Sequence, residues 1–388
     1  MLLPANRLRA VEEYYFSRKL AEIRQMNEHG CDVINMGIGS PDLPPHADVI
    51  DQLLQTAVLP DSHAYQSYTG IPELRQAMAN WYRRIYGVEL SEKNQILPLM
   101  GSKEGIMHIS MAFLNPGDGV LVPNPGYPTY ASVANLLHAR TVSYPLDEHN
   151  NWEPDWHALQ NIDLQGVKLM WVNYPNMPTG ANASEKLFER LVQFALEHHI
   201  LLVNDNPYSL ILNPIPKSIL QNPEAATVAL ELNSLSKSHN MAGWRVGMLA
   251  GRADYLQYVL QVKSNMDSGM FLGIQKAAAY ALQHCNGAWQ ENLNRVYTGR
   301  REFALQIARY LGCQISENQV GMFVWMKAPN HIADVPQWAD EILHQSNVFI
   351  TPGFIFGTAG NRYLRISLCC KPERMNEALQ RLQKSGIG

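Results

Sequence analysis

The sequence predicts an α/β protein: a large domain on a mostly parallel sheet covered by helices, joined to a smaller α+β domain. Three observations carry that expectation. Short, fully apolar runs recur along the chain, longer amphipathic stretches separate them, and polar loops fall at the carboxyl ends of the runs. Strands that are apolar on both faces belong to a sheet covered on both sides, and parallel neighbours need a crossover helix between them. At 388 residues the chain is long enough for a sizeable core and for two or three lobes.

The N-terminal segment "MLLPANRLRAVEEYYFSRKL" mixes charges too early for a secretory signal and reads as mature protein. Residues 1–45 are expected to form an arm and helix packing with the small domain, because the boundary near "NMGIGSPDLPP" is rich in Gly and Pro. Residues 46–280 are expected to form the large domain. Its strand candidates are "GVLVP" (Gly119–Pro123), "VKLMWVN" (Val167–Asn173), "HILLVND" (His199–Asp205) and "VGMLAG" (Val246–Gly251). In "SEKLFERLVQFALEHH" the apolar residues recur at helical spacing, and the Ser184 hydroxyl can accept from a first-turn amide, so Ser184 is the N-cap. Residues 281–388 are expected to form the small domain. The chain is mostly helical from Ala277 to Arg309, then forms strands at "GMFVWMK" (Gly321–Lys327) and "RYLRISLC" (Arg362–Cys369).

Composition removes several function classes. Apolar residues make up 46 %, charged residues 17 %, and the net charge is -4, which provides no basic field for nucleic acid or an anionic membrane. No apolar run approaches the roughly 20 residues that span a bilayer. The cysteines Cys31, Cys285, Cys313, Cys369 and Cys370 are odd in number, form no CxxC pair and include two neighbours. That pattern opposes a disulfide framework or zinc site, implies no metal, and fits a reducing cytoplasm.

In a parallel α/β sheet, ligands collect beyond the carboxyl ends of the strands. "NPGYPTY", "NYPNMPTG" and "NDNPYS" fall there, and so does "NSLSKSHNMAGWRVG" (Asn233–Gly247). Lysines are ordinarily solvated, but Lys237 has no carboxylate beside it and has Arg245 just downstream. A nearby cation and partial burial both depress a lysine pKa and make a neutral amine available to attack an aldehyde. Arg245, with Ser234 and Ser236, offers a guanidinium fork and hydroxyls to a phosphate dianion. Gly101-Ser102-Lys103 opens an amphipathic helix, whose free amides and positive dipole end suit the same anion. Asp205 ends a buried run and needs a donor; it is either a turn carboxylate or the partner of a protonated heterocyclic nitrogen. Tyr208 can give its hydroxyl to an oxygen on that ring, and Tyr127 can stack on its face. Together these groups describe a site for pyridoxal 5'-phosphate.

Over nearly its whole length the chain closely resembles the class I/II aminotransferases of the fold type I pyridoxal-phosphate enzymes. "SLSKSHNMAGWRVG" is similar to their lysine signature, which implies Lys237 as the Schiff-base and catalytic residue and Ser234 and Arg245 as phosphate ligands. "NDNPY" implies Asp205 at the pyridine nitrogen and Tyr208 at the phenolic oxygen. "GSKEG" resembles the phosphate turn (Gly101, Ser102, Lys103), and "NPGYPTY" contributes the stacking Tyr127. "YQSYTGIPELR" implies that Tyr65 reaches the phosphate of a partner subunit, hence a homodimer. "PGFIFGTAGNRYLRISL" implies Arg365 at the substrate carboxylate, and "NMGIGSPD" implies Ile38 and Gly39 beside it.

One departure stands out. The family usually has "NNPTG", whereas this chain has "NMPTG", with Met177 where an asparagine would reach the phenolic oxygen. Either Asn176 takes over that bond or Tyr208 carries the oxygen alone. The resemblance implies ping-pong transfer of an amino group between an L-amino acid and a 2-oxo acid. A carbon–sulfur β-lyase on the same scaffold is the alternative. "GSKEGI" and "KSNMDSGMFLGIQ" look more like the subgroup with LL-diaminopimelate and alanine-type enzymes than like classical aspartate enzymes. No second arginine is assigned to a side-chain carboxylate.

Overall fold

The computed structural model describes residues 2–10 and 15–387; positions 1 and 11–14 of the arm expected over 1–45 lie outside the described residues. After β1 (Ile34–Asn35) the chain enters the large sheet. Its strands are β2 (Ile96–Leu99), β3 (Gly119–Asn124), β4 (Arg140–Asp147), β5 (Glu153–Pro154), β6 (Val167–Val172), β7 (Leu201–Asp205), β8 (Ala229–Ser234) and β9 (Gly247–Gly251). Among the described residues their spatial order is β2-β9-β8-β7-β6-β3-β4-β5. The five central strands, from β8 across to β4, run parallel.

Residues alternate between the two covers of this sheet, as the pleat requires. Val120, Val122, Leu169, Trp171, Leu201 and Val203 pack with Ile106, Ile109, Leu256 and Val259 of the helices Ser102–Phe113 and Ala253–Lys263. Leu121, Met170, Val172 and Leu202 pack with Leu187, Leu191 and Ala195 of the helix Glu185–Glu197. Ser184 caps that last helix, its Oγ accepting from the Leu187 amide at 3.0 Å.

The run "VGMLAG" departs from the parallel pattern, since β9 is antiparallel to both β2 and β8. The connection from β8 holds only the single-turn helix Leu235–Ser238 and the 3-10 turn Ala242–Trp244. A parallel return needs a longer crossover, so the chain doubles back.

The remaining strands are β10 (Gln314–Ile315), β11 (Phe323–Lys327), β12 (Val348–Phe349), β13 (Thr351–Pro352) and β14 (Tyr363–Ser367). An antiparallel sheet in the order β10-β11-β14-β13 is joined to the large sheet through the long helix Ala288–Tyr310. β1 pairs in parallel with β12. The helix Tyr15–Glu28 packs Phe16 and Ile23 against Leu343 and Phe349, and Lys19 meets Asp340 at 2.8 Å. Buried Arg300 in the long helix grips Asp42 through two nitrogens, at 2.6 and 2.8 Å, which anchors the loop after β1 over the carboxyl ends of the central strands.

Candidate active site

A cavity of about 600 Å³ opens where β3, β6, β7 and β8 end, walled on the far side by β11, β14 and the loop after β1. The arrangement follows from topology: parallel strands leave all their carboxyl ends on one side, so the polar loops converge there.

Lys237 stands on the short helix after β8, which Ser234 caps by accepting from the Ser236 amide. Its Nζ donates to Gly39 O at 2.6 Å. Burial holds its pKa below the ordinary lysine value, with Arg365 and Arg245 acting in the same direction and Cys369 against it. Asp205 ends β7 and is buried. Its Oδ2 accepts from Tyr130 at 2.9 Å, whereas its Oδ1 has no hydrogen-bond partner among the described residues. Burial pushes the Asp205 carboxyl up to about 7; the Tyr130 bond opposes the shift and buried Glu231 adds to it. Tyr130 is itself held flat against Trp171, with ring centroids 4.9 Å apart and planes 4° from parallel.

Arg365 comes from β14 and is 3 % exposed. Its Nη2 donates to Gly37 O at 2.7 Å and its Nη1 lies 3.2 Å from Met177 Sδ. The guanidinium carbon sits 4.0 Å from the centre of the Phe323 ring and 4.7 Å from that of Phe356. Aromatic faces attract a cation without neutralising it, so these rings help to hold the guanidinium in place.

Ser102, Lys103, Ser234, Ser236 and Arg245 line the opposite end. Gly101 precedes them at φ 90°, a left-handed value that favours glycine. A Cβ there would lie 2.0 Å from Arg245 Nη2, so the guanidinium can approach the helix start only because Gly101 has no side chain. Amides, hydroxyls and guanidinium thus face one small volume, the donor set a phosphate dianion requires.

Tyr127, Tyr208, Ile38 and Gly39 also line the cavity. Three expected residues do not. Gly101 lies just behind the lining. Tyr65 is 91 % exposed and away from the cavity of its own chain. Asn176 is buried in the "NMPTG" turn, its Oδ1 accepting from the Thr179 amide and hydroxyl at 3.3 and 2.8 Å. That turn points Met177 into the cavity instead.

Asn173 was not singled out in the sequence, yet it lines the cavity and bonds the Asp205 carbonyl. Its signal was available: it is the polar residue that closes "VKLMWVN". Tyr130 was similarly legible in "NPGYPTY" once Asp205 needed a donor. Phe323 and Phe356 had no local signal, because only the fold brings their strand and turn to Arg365.

The residues fit pyridoxal phosphate on two structural grounds. The orphaned, buried Asp205 Oδ1 needs a donor, and the cleft beside Gly101 presents an anion site. A pH dependence follows. A carboxyl whose folded pKa exceeds its unfolded value of about 4 favours folding at low pH, and that contribution is lost as pH rises through about 7. Cofactor-free protein should therefore lose melting temperature between these values relative to Asp205→Asn. Parallel melting curves for the two proteins would contradict this assignment.

The sequence profile of aminotransferase class I and II matches residues 31–382. LL-diaminopimelate aminotransferase from Moorella thermoacetica is 39 % identical over 382 residues, spanning 98 % of this chain and 97 % of that protein. The protein of the same name from Halothermothrix orenii is 38 % identical over 385 residues, spanning 99 % and 98 %. Among solved structures, apo BacF from Bacillus subtilis superposes with a TM-score of 0.93 at 36 % identity, covering 99 % of this chain and 98 % of that one. An aminotransferase from Staphylococcus aureus gives 0.88 at 31 % identity, covering 98 % of both chains.

Proposed function

The chain belongs to aminotransferase class I and II, a pyridoxal-phosphate-dependent family that moves an amino group between an amino acid and a 2-oxo acid; on that premise we propose that Lys237, Asp205 and Arg365 divide the work of the reaction. The observation that carries the reading is the buried Asp205 Oδ1 without a partner, in one cavity with Lys237 and Arg365.

The cofactor, when bound, supplies an aldehyde that takes up the amino group and a ring that delocalises the electrons freed at Cα. Lys237 would hold the cofactor through its amine, and that same amine, when neutral, would serve as the general base and acid that moves the Cα proton. Burial supports this role by keeping Lys237 less basic than an exposed lysine. Asp205 would answer the cofactor's ring nitrogen and favour its protonated form. Arg365 fixes the substrate carboxylate and so orients the Cα–H bond. Ser102, Lys103, Ser234 and Arg245 would hold the phosphate, Tyr208 would serve the phenolic oxygen, and Tyr127 would pack on the ring.

LL-diaminopimelate is the proposed donor, because relatives of that name match over almost the full chain. A second reading has its own support: Phe16, Leu20, Ile38, Tyr127 and Phe356 make an apolar wall that suits a neutral side chain. A donor screen with 2-oxoglutarate and pyruvate as acceptors separates the two. Failure of every donor to yield a new amino acid would refute transfer, and pyruvate with ammonia from cystathionine would indicate the lyase, which the relatives' names do not favour.

The reaction is proposed to take place in the cytoplasm, in keeping with five unpaired cysteines. No helix among the described residues is long and apolar enough to cross a membrane. A homodimer is proposed on the exposure of Tyr65 and of the apolar Leu54, Val58 and Leu59. A monomer by light scattering would rule it out.

Met177 carries a further expected result. A thioether is a poor donor–acceptor partner, so the phenolic oxygen has one bond fewer than with asparagine. Met177→Asn should lower the pH midpoint of the holoenzyme's visible absorbance by about one unit. An unchanged midpoint counts against Met177 facing that oxygen.

A further inference from the structure

Along the first turns of the helix Ser102–Phe113 lies a group of four ionisable side chains, of which His108 and Lys263 are buried and Glu104 and Asp267 half-buried. Glu104 Oε2 accepts from the Met100 amide at 2.6 Å, and its Oε1 lies 3.2 Å from His108 Nε2 one turn on. Ligand-type atoms of Glu104, His108 and Asp267 all lie within 4.8 Å of one another. Asp267 comes from the loop after the helix Ala253–Lys263. Its Oδ1 accepts from Lys263 Nζ at 2.9 Å and from the Gly269 amide at 2.8 Å. His108 and Lys263 are each 1 % exposed. Neither His108 ring nitrogen, nor Asp267 Oδ2, has a hydrogen-bond partner among the described residues.

Burying such groups is unfavourable unless they answer one another's charge. The Lys263 ammonium already supplies a fixed positive charge against Asp267, which fits an internal charge network better than a metal centre. A lone acid in a first helical turn is an ordinary dipole partner. A buried histidine and a buried lysine–aspartate pair behind it are not.

We propose that Glu104, His108, Lys263 and Asp267 are positioning residues. They hold the Gly101–Lys103 turn, and with it the first free amides of the helix, where the cofactor's phosphate binds. The inference rests on the proposed assignment of this end of the cavity to that phosphate. Glu104 fixes the backbone just before Gly101, and the buried His108 ring packs against its Oε1 at 3.2 Å, with Asp267 and its Lys263 partner filling the space behind. The restraint extends outward as well: Gly269 passes so near Gln66 that a Cβ on it would lie 2.5 Å from Gln66 O. The same network therefore buttresses the segment that follows Tyr65.

The test compares the affinity of cofactor-free protein for pyridoxal phosphate and for pyridoxal, which lacks the phosphate. Wild type is expected to prefer pyridoxal phosphate. Glu104→Ala and His108→Gln should cut that preference about tenfold by weakening pyridoxal phosphate alone. Glu104→Gln, which keeps an acceptor for the Met100 amide, should retain it. An equal loss for both compounds, or no loss for pyridoxal phosphate, overturns the positioning role. A wild type that binds neither compound instead overturns the cofactor assignment, a distinguishable result. If Glu104→Ala does not fold, His108→Gln and Asp267→Asn carry the same comparison.

Discussion

Lys237→Ala should abolish the visible absorbance of covalently held cofactor and lower turnover by roughly 10³-fold, the scale of a lost proton-transfer group. The substitution removes an amine that is partly buried and 2.6 Å from Gly39 O. It leaves the surrounding turn intact: Ser234 still caps the helix, and alanine is the most favourable helix former. Removing a lysine whose pKa burial lowers also takes away a desolvation penalty, so the melting temperature of cofactor-free protein should not fall. Added small amines should restore part of the turnover, because the scaffold that orients the substrate remains. Retention of the absorbance band in the variant would remove the basis for the whole site assignment.

Arg365→Ala should raise KM for both amino and oxo acids and cut kcat/KM by roughly 10²- to 4 × 10³-fold. Losing one member of a buried charge pair costs on the order of 3–5 kcal/mol, and about 1.4 kcal/mol corresponds to a factor of ten. Arg365 is held in place by Gly37 O and the Phe323 and Phe356 rings, which lowers the ordering cost of its contact with a carboxylate. Arg365→Lys should not rescue the loss, since a point charge offers no paired donors to two carboxylate oxygens. The discriminating substrate is an amine without a carboxylate. It should react equally slowly with wild type and variant, and a comparable loss for that amine would assign Arg365 to packing alone.

Several elements were legible because they depend on local pattern. The "GVLVP", "VKLMWVN" and "HILLVND" runs became β3, β6 and β7, displaced by no more than a residue or two at each end. Ser184 capped its helix because a hydroxyl and a free amide three residues on are neighbours in sequence. The antiparallel direction of β9 was not legible, since an apolar run carries no mark of strand polarity. Asn176 shows the limit within a motif: adjacent side chains in a tight turn diverge, and Thr179 claims its oxygen while Met177 and Asn173 face the cavity.

By itself the sequence determined the class of chemistry, because an amine, an acid at a strand end and a set of anion donors are specified by residue type and neighbourhood. Tertiary structure decided what those groups can do. Burial raised Asp205 and lowered Lys237, and two strands and a turn separated in sequence closed Phe323, Phe356 and Arg365 around the same space. The reason is physical: residue identity sets which charges exist, but desolvation and distance, which set their energies, come into being only when the chain is packed.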